Sequence, residues 1–77
     1  MQTTTQLAYK GYTVTITSDA IWFTVYDSHG KPCGTIERPH RGHDRWEGFV
    51  PTGESVNPVY CAGPKHALRS IAIYHGA

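Results

Sequence analysis

Two cysteines are all that 77 residues hold, and neither belongs to a Cys-x-x-Cys pair. No charged n-region, apolar h-region or cleavage site precedes them. A secreted disulfide framework is therefore not expected, and Cys33 and Cys61 read as reduced thiols in a cytoplasmic protein. Net charge is scarce too, since seven Lys and Arg against six Asp and Glu leave +1. That is too little for a global field that would gather nucleic acid or an anionic membrane. No run approaches the roughly 20 apolar residues of a bilayer span, so the chain reads as soluble, with no membrane partner. A phosphate-cradling Gly loop, a Gly-x-Ser-x-Gly elbow and a carboxylate pair brought together by spacing are all missing. His29, His40, His43, Asp27, Asp44 and the thiols lack the context of a nucleophile and its base. A chain this short buries only about 60–65% of its unfolded surface. It leaves little volume for a ligand pocket of about 300 Å³ or more, so neither an enzyme nor a cofactor is expected.

What is present is a small set of large apolar groups. The hydrophobic fraction is only 39%, but two Trp, five Tyr and two Phe can nucleate a core, because each ring buries about 150–250 Å². Ile21 to Arg38 reads as one β-hairpin. Ile21, Phe23 and Val25 alternate with Trp22, Thr24 and Tyr26, placing aliphatic and Phe side chains on one face and amphipathic rings on the other. Asp27, Ser28, His29 and Gly30 supply the turn, and Cys33 to Glu37 returns. Before it, Tyr12, Val14 and Ile16 alternate with Thr13, Thr15 and Thr17, a half-buried strand. After it, Arg38 to Arg45 is a polar loop broken by Pro39 and Gly42, and Arg45 to Val50 resumes as a strand. Gly48 there implies a bulge or a close neighbour. Pro51 to Pro58 is turn-rich, and Val59 to Cys61 fits a short edge strand.

Gly63-Pro64 announces a helix, with Ala67, Leu68, Ile71, Ala72 and His75 forming one stripe, Lys65, His66, Arg69 and Ile73 opposite, and Gly76 at the cap. The expected fold is α+β, an antiparallel three- to four-stranded β-meander with one C-terminal α-helix packed on one face. Residues 1–6 read as a disordered leader and 7–77 as a single domain. One helix cannot cover both sides of a sheet, so one face is expected to stay open.

Three chemistries compete on these residues. Aromatics on an uncovered face, together with an Arg-rich loop, suit a protein partner, with Trp22, Tyr26, Arg38, Arg41, Arg45 and Trp46 as the contact set. Phe49 and Tyr60 are further ring candidates for that face. Arg38, Arg41, Arg45, Lys65 and Arg69 are the cations available to phosphates. Cys33, His40, His43 and Cys61 have ligand types for tetrahedral zinc, although their spacing is not that of a zinc module. Tyr12 to Thr17 and Val59 to Cys61 are candidate edge strands for a homodimer.

The order Val25-Tyr26-Asp27, Gly30, Gly34-Thr35-Ile36, Trp46-Glu47-Gly48-Phe49, Ala67-Leu68 and Ile71-Ala72 resembles the small meander-plus-helix proteins of phages and other mobile elements. The layout is also similar to the arm-site DNA-binding domains of phage integrases and the plant AP2 domain. Those domains lay a three-stranded sheet in the major groove with Arg, Lys and aromatics on the strands. Here the outward strand positions are Thr, Trp and Tyr. The resemblance implies an inhibitor of a host protein or protein complex, as anti-CRISPR proteins are, or else a DNA-binding module.

Overall fold

A computed structural model of the chain describes residues 3–42, 44–56 and 63–77. Five strands, β1 (Thr4–Tyr9), β2 (Tyr12–Thr17), β3 (Trp22–Tyr26), β4 (Pro32–Glu37) and β5 (Glu47–Phe49), lie side by side in chain order, each antiparallel to the next. Helix α1 (Pro64–Tyr74) packs across one face. The expected α+β meander with one C-terminal helix is therefore what forms, with one strand more than the three to four read from the sequence.

The extra strand is β1, and it corrects the reading of the leader, because Thr4, Thr5 and Gln6 pair with Thr17, Ile16 and Thr15. A two-residue turn joins β1 to β2, with Lys10 at φ 49° and Gly11 at φ 88°. Two successive positive φ values match the right-handed twist of a hairpin. Lys-Gly adopts them here without the Asn-Gly or Asp-Gly signature that would have announced the turn. The candidate dimer edge at Tyr12 to Thr17 is consequently occupied by β1. Val59 to Cys61 lies outside the described residues.

At the turn of the second hairpin the sequence reading holds. Asp27 Oδ1 accepts hydrogen bonds from the amides of His29 (2.9 Å) and Lys31 (3.0 Å), and Gly30 sits at φ 78°. The ladder slips beside it, since Val25 faces Gly34 while Tyr26 faces Pro32. This bulge leaves Cys33 as the extra residue and turns it into the core beside Ile36, where strict alternation would have aimed it with Thr35 at the other face. Ile21 departs from expectation: it precedes β3 and is 40% exposed, while Ala20 packs on the core in its place.

The core lies between sheet and helix. Val14, Ile16, Phe23, Val25 and Ile36 meet Ala67, Leu68 and Ile71, all buried. The helix comes this close because β4 and β5 present glycine beneath it. A Cβ on Gly34 would stand 3.0 Å from Ile71 Cγ2, and one on Gly48 would stand 3.2 Å from both Ile71 Cδ1 and the Ala67 carbonyl oxygen. The close neighbour expected at Gly48 is thus the helix itself.

At its far end α1 closes in a Schellman motif. Gly76 at φ 100° donates to the Ile73 carbonyl and Ala77 to that of Ala72. The capping His75 donates Nε2–H to the Cys33 carbonyl at 2.8 Å, tying the helix end to the bulge. Among the described residues no helix is long and apolar enough to cross a membrane.

Candidate functional site: the uncovered sheet face

In an antiparallel ladder, residues directly opposite one another point to the same side. The register therefore assembles the second face row by row: Trp22 with Glu37 and Glu47, Thr24 with Thr35 and Phe49, Tyr26 with Thr13 and Pro32. No part of α1 covers these residues. Trp22 is 55% exposed and Tyr26 41%, and Thr24 and Pro32 are exposed as well. Thr13, Thr15 and Thr17 extend the same face across β2.

Trp22 leans over β4 toward Phe49, their ring centroids 5.8 Å apart at 46°. Beside this pair runs a shallow groove of about 590 Å³, floored by Thr24 and Thr35 and walled by Trp22, Pro32, Phe49 and Pro51. Its size exceeds what the short chain led one to expect, and Pro51 and Gly53 of the turn that follows β5 add to its lining. That turn is held by hydrogen bonds from Gly53 N to the Val50 carbonyl (2.8 Å) and from Val50 N to the Glu54 carbonyl (3.0 Å). No residue lining the groove carries an ionisable side chain. What the arrangement offers is aromatic and Pro surface with two hydroxyls, suited to apolar contact and neutral hydrogen bonds.

The carboxylates of this face sit at one end of it. Glu37 is buried, and its Oε2 lies 2.6 Å from His40 Nε2. Asp27 marks the opposite end. Its two backbone amide bonds, that of Lys31 first, hold its carboxyl below the usual value of 3.8.

The residues assigned to a protein contact do not form one patch. Trp22 and Tyr26 stand on the open face. Arg38 and Trp46 lie on the helix side of the sheet. The Arg38 guanidinium lies over the rings of Phe23 (5.2 Å) and Trp46 (5.4 Å), which themselves pack with centroids 6.3 Å apart, and its Nη1 donates to the Ala20 carbonyl at 2.7 Å. Arg38 thus closes the rim of the core by cation–π contact. Arg41 and Arg45 are exposed in the loop.

Of the other phosphate-binding candidates, Lys65 and Arg69 are exposed on the outer side of α1. No Lys or Arg stands on the strand positions of the open face. Of the zinc candidates, His43 and Cys61 lie outside the described residues, as does Tyr60. Cys33 and His40 are at opposite ends of β4. The Cys33 thiol is free, faces the core and is pushed up from 9.0 by burial first and by the Asp27 charge second. Among the described residues no three His, Cys, Asp or Glu side chains converge on a point that would hold an ion.

Thr35, Pro32 and Pro51 escaped the sequence reading as site residues. Alternation through Gly34-Thr35-Ile36 carries the signal for Thr35, whereas Pro32 and Pro51 reach the groove only through the bulge and the 51–53 turn. No family model, curated protein or solved structure matches the chain.

Proposed function

We propose that this protein is a non-enzymatic interaction module that binds another protein through the uncovered face of its sheet. The observation that carries this reading is the Trp22–Phe49 pair beside an uncharged groove, on a face that no element among the described residues covers. A half-exposed Trp at one end of a Thr-rich surface has the character of a binding hot spot, with large apolar area that costs little side-chain entropy to fix. The absence of Lys and Arg from these strand positions favours a protein over nucleic acid, since phosphate contacts need cations where the sheet would meet the groove. Resemblance to small proteins of phages and other mobile elements extends the reading to a host complex as the partner and inhibition as the outcome. The free buried thiol of Cys33 suits a reducing, cytoplasmic setting.

The test is affinity capture from the native host with nuclease present, using wild type beside Trp22→Ala and Thr24→Lys. Both positions are exposed, so the circular dichroism spectrum is expected to stay that of the wild type. A specific partner is expected to be retained by the wild type and lost from both variants. Equal retention by all three, or a partner retained only in a parallel capture without nuclease, overturns the assignment.

A further inference from the structure

We propose that two copies of this chain pair edge to edge through β1, joining their sheets across a two-fold axis at Gln6. The axis lies at the sheet edge, so this proposal stands apart from the use of the open face.

The backbone of β1 supplies the first reason. The hairpin closes at Tyr9 and Tyr12, and Ser18 N donates to the Thr3 carbonyl at 3.0 Å. Hydrogen-bonded pairs alternate along an antiparallel ladder, so Thr3, Thr5, Leu7 and Tyr9 bond to β2, while Thr4, Gln6 and Ala8 point their N–H and C=O groups away from the sheet. All three are exposed.

The opposite edge is different. There the 54–56 segment runs beside β5, through the Phe49–Ser55 bridge and a hydrogen bond from Val56 N to the Gly48 carbonyl at 3.0 Å. Among the described residues β1 is the edge with no strand beside it. It also lacks the usual protections of an edge. Thr-Thr-Gln-Leu-Ala-Tyr contains no charge, no Pro and no Gly, and its register with β2 runs unbroken.

Self-complementarity identifies the second copy as the occupant. An uncharged strand meets its own copy without like charges facing, and an antiparallel pairing is by nature two-fold. Facing residues must also share a side of the sheet. Thr5, Leu7 and Tyr9 look toward the helix and Thr4, Gln6 and Ala8 toward the open face, so even-numbered positions must pair with even-numbered ones.

Gln6 opposite Gln6 keeps the pairing inside the strand, with Thr4 facing Ala8 and each of these pairs exchanging two backbone hydrogen bonds. Leu7 on the axis would instead set Thr4 against Lys10, which sits in the left-handed turn. In the Gln6 register each Leu7, half-buried and packed on the core, gains the Thr5 of the other copy beside it.

Sedimentation equilibrium from micromolar to millimolar protein tests this. The wild type is expected to rise from 8.6 kDa toward twice that mass. Gln6→Pro is expected to stay at the monomer mass, because the amide it removes makes no bond within the monomer. Its melting temperature at low concentration should match the wild type. Should Gln6→Pro misfold, Gln6→Lys and Gln6→Glu decide. Each alone is expected to dimerise several-fold more weakly at low salt, and an equimolar mixture to recover the wild-type affinity. A wild type that remains monomeric throughout, or Gln6→Lys and Gln6→Glu variants that each associate as tightly as wild type, overturns the proposal.

Discussion

Asp27 and Gly34 show how much a single residue settles in so small a fold. Asp27 holds the β3–β4 turn through two backbone amides, which favour its charged form and lower its pKa. The stability from that depression is complete above the ordinary value of 3.8 and is lost as pH falls from there through the lower folded value. Asp27→Ala is therefore expected to melt below the wild type at pH 7, with the difference shrinking in acid. Asp27→Asn, whose amide oxygen still accepts, should lose less; thermal melts from pH 7 to 2 check the order. Gly34 is needed for space. A Cβ there would lie 2.7 Å from the Phe49 carbonyl oxygen and 3.0 Å from Ile71. Gly34→Ala is expected to cost about 1–3 kcal/mol, read as a melting temperature lower by about 4–8 °C for each kcal/mol.

At the scale of elements, turns decided where strands exist. The β1–β2 hairpin places Lys10, a side-chain-bearing residue, in left-handed backbone at φ 49°. Asn tolerates that conformation better than Lys, so Lys10→Asn is expected to raise stability by about 0.5–1 kcal/mol, measured by urea denaturation. The helix, by contrast, is written plainly in its spacing. Ala67, Leu68, Ile71 and Ala72 are the residues it buries, and Pro64 and Gly76 stand at its start and just past its end. His75, read as the end of the apolar stripe, is exposed at the surface. It stacks near Tyr12, with ring centroids 6.2 Å apart, while bonding the Cys33 carbonyl. The bulge at Cys33 was invisible in the pattern because period-two alternation assumes an unbroken register.

The molecule as a whole divides its apolar side chains between two tasks. Those between sheet and helix hold the fold, and Trp22 and Tyr26 on the far side stay exposed. Truncation on the two sides should therefore differ sharply. Ile71→Ala removes a fully buried side chain at the helix–sheet contact and is expected to cost about 2–5 kcal/mol, a large share of the roughly 4–12 kcal/mol that a chain of this length commands. Trp22→Ala leaves the core intact and is expected to cost under about 1.5 kcal/mol, the worth of its contact with Phe49. Chemical denaturation of both variants checks the division. A Trp22→Ala variant as unstable as Ile71→Ala would mean that this ring belongs to the fold.

The sequence by itself determined the β-meander, the helix with its buried stripe and the existence of an open face carrying Trp22 and Tyr26. These follow from periodicity and turn chemistry, which act between residues near in the chain. Only the tertiary structure decided that the edge strand β1 begins at Thr4, that Arg38 and Trp46 serve the core and that Pro32 and Pro51 complete a groove. The strand at Thr4 depends on a Lys-Gly turn without the usual hairpin signature, the roles of Arg38 and Trp46 on packing against Phe23, and the place of Pro32 on a one-residue slip at Cys33 that no local pattern encodes.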